Sequence, residues 1–212
     1  MSESRLDHLV VAAPNLKAGV LWVRDALGAT PELGGEHAAM GTHNCLLRLG
    51  ESAYLEVIAP DPNAPAPSRP RWFALDGLRR DAPPRLAAWV ARTPDIVTAQ
   101  AACGDLLGRI EPMSRGALNW QITISDDGRP PLDGVAPMLI QWANGAHPCA
   151  RLRDSGCELL LLDGFHPQPA AVARVLEAIG FDGEVKLSAS PSGARLVAHV
   201  RTPQGVRRLG AG

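Results

Sequence analysis

The chain has 212 residues, 46% of them apolar and 20% charged, with a formal net charge of −1; that length is enough for one large domain or two small ones around a sizeable core. The balanced charge supplies no global field for nucleic acid or an anionic membrane, and no apolar run reaches the roughly 20 residues of a bilayer span. The opening Met1-Ser2-Glu3-Ser4-Arg5 lacks the apolar stretch of a secretory signal.

Leu6 to Ala12 is short, apolar and rich in valine and leucine, which predicts a strand. Pro14-Asn15 marks a turn, with Asn15 as N-cap of a helix whose stripe is Leu16, Val20, Val23 and Leu27 and whose C-cap is Gly28. Strands are expected near 32–38, 42–49 and 53–59, separated by Gly34-Gly35, Gly41 and Gly50. The first unit, residues 5–60, is therefore βαβββ. The run Pro60-Asp61-Pro62-Asn63-Ala64-Pro65-Ala66-Pro67 predicts an extended connector, with a short helix near 72–80 after it. Together these make a linking segment over 61–84. A second βαβββ unit over 85–145 has its strands near 86–92, 109–114, 118–125 and 137–142 and its helix near 95–103. A partial third unit, βαββ over 155–209, has a strand near 158–162. Its helix carries Val172, Val175, Leu176 and Ile179 and stops at Gly180. Two strands near 184–188 and 195–201 complete it.

The first two units are copies of one another. Leu6 meets Leu86, Val10 meets Val90, Pro14 meets Pro94, Leu16 meets Ile96, Leu27 meets Leu107 and Gly28 meets Gly108, without a gap. Further on Gly41 meets Gly116, Asn44 meets Asn119, Leu47 meets Ile122 and Leu49 meets Ile124. Leu55-Glu56-Val57 falls on Ile140-Gln141-Trp142.

Two βαβββ units in tandem, opening on Leu6-Asp7-His8-Leu9-Val10-Val11, resemble the vicinal oxygen chelate superfamily. Gly41-Thr42-His43-Asn44 and Tyr54-Leu55-Glu56-Val57-Ile58-Ala59-Pro60 resemble its glyoxalase-like group more specifically. The resemblance implies an α+β fold in which the paired modules form a cup-shaped mixed sheet with helices outside. It implies a small oxygen-bearing ligand in the cup. It further implies a divalent metal (Zn, Ni, Mn or Fe) held by inward residues on the first and last strand of each unit, serving isomerase, lyase or dioxygenase chemistry. The matching positions are His8 and Glu56 in the first unit and Ala88 and Gln141 in the second. Ala88 has no donor atom, and Gln141 offers only an amide oxygen.

Alternation puts His8 on one strand face with Leu6 and Val10, and Asp7 on the other; Tyr54 and Glu56 share a face. The expected metal ligands are thus His8, Glu56 and Gln141, with Glu56 also as catalytic proton shuttle. The alternative is that His8 and Glu56 bond to each other or to water in a polar, metal-free cup that binds or sequesters its ligand. His43 is the first candidate for the missing ligand and a substrate contact, ahead of His37. Asn44, which repeats as Asn119, serves a turn or the ligand. Tyr54 shares the Glu56 face. Trp72 with Phe73 forms either an aromatic lid or an anchor for the connector, and Trp120 and Trp142 wall a pocket or fill the core. A third reading is a partner-binding module using the exposed sheet edges of the last unit.

No Gly-x-Gly-x-x-Gly, P-loop or Gly-x-Ser-x-Gly pattern is present, which leaves no nucleotide cofactor and no hydrolase elbow to expect. Cys45, Cys103, Cys149 and Cys157 form no Cys-x-x-Cys pair, so reduced thiols and a cytoplasmic location are expected. The superfamily's habit of pairing makes a homodimer compatible with the sequence.

Overall fold

The computed structural model describes residues 3–145 and 147–210. The first unit is β1 (Arg5–Ala12), α1 (Leu16–Leu27), β2 (Glu32–His37), β3 (Thr42–Arg48) and β4 (Tyr54–Pro60). The second is β5 (Arg85–Arg92), α2 (Ile96–Cys103), β6 (Arg109–Arg115), β7 (Leu118–Ile124) and β8 (Met138–Trp142). The same local chemistry starts both helices. Asn15 Oδ1 accepts from the Ala18 amide at 2.9 Å, and Asp95 Oδ1 from the Thr98 amide at 3.0 Å, each satisfying an amide that the first turn leaves free.

The strands form one eight-stranded sheet in the order β2-β3-β4-β1-β5-β8-β7-β6. β1 and β5 run antiparallel at its centre, and each lies parallel to the last strand of its own unit, β4 or β8. The sheet curls into a half-barrel with two faces and two cores. On the outer face Leu9, Val11 and Trp89 pack against Val23 and Leu27 of α1 and Ile96 of α2. α1 lies close because Gly19 has no side chain: a Cβ there would sit 2.4 Å from Val57 Cγ1. On the inner face Val10, Ala12, Ile58, Val90, Ile122 and Ile140 make the second core.

The last unit comprises β9 (Glu158–His166), α3 (Pro169–Ala178), β10 (Val185–Ala189), β11 (Arg195–Thr202) and β12 (Gly205–Leu209). Its four-stranded sheet, ordered β10-β9-β11-β12, packs onto the outer core through Leu162, Leu196 and Val200, and α3 through Val172. β9 runs past the expected end at Leu162, and β12 has no counterpart in the sequence reading. Trp89 ties the layers together. Its indole donates to the Val135 carbonyl at 2.8 Å, and its ring meets Phe181 edge-on at 5.1 Å.

The proline connector crosses from the end of β4 to the second unit. Arg71 Nε donates to the Gly41 carbonyl at 3.1 Å, and Arg69 pairs with Glu111 at 2.9 Å, so the strap is fastened to both halves. The short helix expected over 72–80 is instead a tight 3-10 segment, Trp72–Gly77. Phe73 and Ala74 interrupt it with left-handed φ values of 57° and 54°. That kink turns Trp72 and Phe73 inward onto the inner core. Among the described residues no helix is long and apolar enough to cross a membrane.

Candidate functional site

His8 and Glu56 meet inside the cup. Both are buried, and His8 Nε2 stands 3.7 Å from Glu56 Oε2. The His8 ring stacks on Tyr54, centroids 4.6 Å apart and planes 17° from parallel, which holds its orientation. Burial pushes the Tyr54 phenol well above its usual range, with the Asp7 and Glu56 charges adding to the effect.

Asp7 does not point away from His8, as strict alternation would have it. The β1–β5 register slips between Leu6 and His8, so Asp7 is a bulge residue and its side chain is re-aimed. The carboxyl is wholly buried and accepts three hydrogen bonds. Oδ1 takes His8 Nδ1 at 2.7 Å; Oδ2 takes Trp142 Nε1 at 2.9 Å and His147 Nε2 at 3.1 Å. Burial alone would raise this carboxyl, but the bonds from His147 and His8 hold it well below the ordinary carboxylate range. Because Asp7 accepts from His8 Nδ1, His8 Nε2 is turned toward Glu56 and the hollow.

Asn44 links the other half of the site. Its Nδ2 donates to Glu56 Oε1 at 2.5 Å, while its Oδ1 accepts from the Gly35 amide at 2.9 Å and from Arg115 Nη1 at 3.0 Å. Arg115, at the end of β6, reaches across the cup mouth from the opposite unit. Gly34 and Gly35 on β2 make room: a Cβ at Gly34 would lie 2.1 Å from Asn44 Oδ1, and one at Gly35 2.8 Å from Arg115 Cδ. The paired glycines were the sequence signal for this close approach, although they did not name the arginine. Asn119 does not repeat the role of Asn44; it is exposed and donates to Ala117 O at 3.4 Å.

His37 is the second histidine of the hollow. Nδ1 lies 3.2 Å from Thr42 Oγ1, and Nε2 faces the Asn44 and Arg115 donors at 3.5 and 3.4 Å. Burial, with the Arg115 charge beside it, lowers its pKa to about 4 against the opposing pull of Glu56. The ring is therefore neutral near pH 7, and its Nε2 serves as an acceptor. His43, expected ahead of His37, is on the opposite face of β3 from Asn44, and its Nε2 is buried without a partner among the described residues.

Gln141 is not brought to His8 and Glu56. Val10 pairs with Glu56, and its repeat mate Val90 pairs with Met138. Met138 is therefore the register counterpart of Glu56, and Gln141 lies an odd number of residues beyond it, on the outer face. There its amide oxygen accepts from the Ile96 amide at 2.8 Å, closing the start of α2.

The donor set does not fit a four-ligand divalent site. The first unit supplies His8 and Glu56, whereas the second supplies Ala88 and Met138. The Arg115 guanidinium also bonds into the Asn44–Glu56 arm of the hollow. Among the described residues no group of three or more His, Cys, Asp or Glu side chains is gathered as a metal would need.

Trp72, Phe73, Trp120 and Trp142 wall the rest of the hollow. Trp72 meets His37 edge-on at 5.1 Å, and Trp120 packs on Trp142 at 5.3 Å. Trp72 Nε1 is buried with no partner among the described residues. The hollow holds about 20 Å³ as it stands, room for about one water.

Comparison with known proteins agrees with this architecture. The model of a family described as "Glyoxalase-like domain" matches residues 6–180. A hypothetical protein from Staphylococcus aureus has a solved structure similar to this one, with TM-score 0.60 and 13% identity over 90% of this chain and 87% of that one. A mutant of 4-hydroxymandelate synthase from Streptomyces coelicolor aligns with TM-score 0.51 and 18% identity over 97% of this chain and 61% of its own. Methylmalonyl-CoA epimerase from Streptomyces coelicolor aligns with TM-score 0.46 and 19% identity over 67% of this chain and 98% of its own. No curated protein matches the chain. With most of its length matched by the family model and the paired βαβββ cup in place, the chain belongs to the glyoxalase-like domain family of the vicinal oxygen chelate superfamily.

Proposed function

We propose that this chain binds a small oxygen-bearing organic molecule in its cup without a metal. The observation that carries the reading is the pairing of unfilled donors with aromatic walls: among the described residues Trp72 Nε1 is buried without an acceptor, and Arg115 leans into the same hollow bonded to neutral groups, Asn44 and His37. Buried donors without acceptors are unfavourable by about 1–3 kcal/mol each, and a ligand oxygen removes that penalty. The two metal-type residues of the first unit are explained by other bonds: His8 is oriented by Asp7, and Glu56 by Asn44.

A second reading adds chemistry, and the line Asp7–His8–Glu56 favours it. In that reading one of the pair, Glu56 Oε2 or His8 Nε2, takes a proton from a carbon beside an oxygen-bearing group. The electron pair moves onto that oxygen, and the proton is returned to the ligand, as in an isomerase or lyase. Arg115 lies where it would steady the resulting negative charge. A cytoplasmic setting suits either reading, with Cys45, Cys149 and Cys157 buried as free thiols.

A thermal-shift screen of oxygenated small molecules on the full chain, run with and without EDTA, tests the proposal. A compound that raises the melting midpoint equally in both conditions supports it. A shift that appears only after zinc, nickel, manganese or iron is added refutes the metal-free reading. A silent screen refutes the ligand altogether.

A further inference from the structure

The geometry points to a carboxylate with a flat, unsaturated or aromatic body as the ligand of this cup, gripped by Arg115 and the Trp72 indole N–H. This inference rests on the proposed metal-free cup and names its ligand class. Arg115 carries five N–H donors in a planar fork. Its described partners, Asn44 Oδ1 at 3.0 Å and His37 Nε2 at 3.4 Å, both engage Nη1, and neither is acidic. The Nε and Nη2 edge, the one that matches a carboxylate bidentately, is used by neither contact. Trp72, on the wall of the same hollow, has its Nε1 buried without an acceptor among the described residues. Two groups that can only donate, one of them charged, call for a ligand end that only accepts.

The acidic residue in the cup does not oppose this arrangement. Asn44 stands between Arg115 and Glu56, turning its carbonyl to the guanidinium and its NH₂ to the carboxyl. The remaining Glu56 oxygen faces His8, and Asp7 has both oxygens engaged by His8, Trp142 and His147. The cup is thus divided into a carboxylate-accepting end at Arg115 and Trp72 and a proton-handling end at His8 and Glu56. Trp120 and Trp142 flank the space between with flat apolar faces, which favour a planar body over a bulky aliphatic one.

The test uses two acid–amide pairs, benzoate with benzamide and cinnamate with cinnamamide, titrated into the full chain by calorimetry and tryptophan-fluorescence quenching. The acids should bind at least tenfold more tightly than their amides. Arg115→Met should weaken the acids at least tenfold and leave the amides unchanged, Arg115→Lys should restore part of the loss, and Trp72→Phe should weaken the acids several-fold. Melting curves confirm that each variant folds. Equal affinity for acid and amide, or undiminished acid binding by R115M, overturns the carboxylate assignment. If neutral oxygenated molecules from the thermal-shift screen bind while both acids fail, the assignment falls and the cup survives as a binding site. If nothing binds, both fall.

Discussion

Asp7 and His8 are consecutive residues of β1, yet their side chains hydrogen-bond at 2.7 Å, Oδ1 to Nδ1. The bulge opposite β5 makes this possible by turning Asp7 to the His8 side. One wholly buried carboxyl then organises His8 from the first unit together with Trp142 and His147 from the end of the second.

Asp7→Ala should therefore be among the most damaging substitutions in the chain. It leaves three donors without an acceptor, and losing one partner of a buried charged network is worth about 3–5 kcal/mol. Urea unfolding should show that loss. The folded-state pKa of Asp7 lies below its unfolded value, so its stabilisation is present above about pH 4 and is lost as pH falls further. Asp7→Asn should flatten that acid limb, and an unchanged acid limb would contradict the network.

His37 gives a second pH signature. Its folded pKa of about 4 lies below the unfolded 6.5, so the unfolded chain takes up the proton first as pH drops. Stability should fall as pH goes from about 6.5 to about 4, by up to about 3 kcal/mol. His37→Gln keeps an acceptor toward Arg115 and cannot titrate, so urea midpoints between those pH values should lose most of their slope. A slope as steep as that of the parent chain would place the titrating group elsewhere.

Much of the fold could be read from local sequence, and the site only in part. Asn15 with Gly28 brackets α1, and the apolar runs of β1 and β5 are strands, because caps and period-two patterns are local physics. His8 and Glu56 stand out as polar residues in apolar strands. Arg115 could not be found that way, since its partners lie on β2 and β3 of the other unit and sequence carries no distance. Asp7 was hidden by the bulge. Gln141 failed through register: the longer loop before β8 lets the second copy slip against the first, and an odd slip exchanges the faces.

Gln141→Ala consequently separates the two roles given to that residue. It removes the acceptor for the Ile96 amide and should lower stability by about 1 kcal/mol, the usual worth of a helix-start hydrogen bond. Ligand affinity should not change. Glu56→Gln should do the reverse, disturbing binding or turnover with a smaller effect on unfolding. Loss of affinity in Q141A at intact stability would return Gln141 to the cup.

Gly34→Ala probes the glycine pair that admits Arg115. The added methyl would sit 2.1 Å from Asn44 Oδ1, so the amide that bonds both Glu56 and Arg115 must shift. Gly34 itself is exposed on the edge strand β2, which limits the loss of stability to about 1 kcal/mol. Affinity for carboxylates should fall by tenfold or more in the calorimetric titration. A variant that binds as the parent does would show that the Asn44 bridge is dispensable.

Ala74 tests how a ligand enters. The hollow holds about 20 Å³, far less than any organic acid, so the Trp72–Phe73 segment must open to admit a ligand and close again for the Trp72 indole to hold it. Left-handed backbone at Phe73 and Ala74, φ 57° and 54°, raises the energy of the closed form by about 1–2 kcal/mol per residue. Strain of that size narrows the gap between closed and open states. Ala74→Gly relieves its share, so the closed form gains at most about 1 kcal/mol once the freer unfolded chain is counted. Stability should rise and the association rate should fall several-fold, because opening becomes harder. Melting midpoints and stopped-flow tryptophan fluorescence on A74G read both quantities. A rise in both together would mean that the closed segment is not what the ligand must displace.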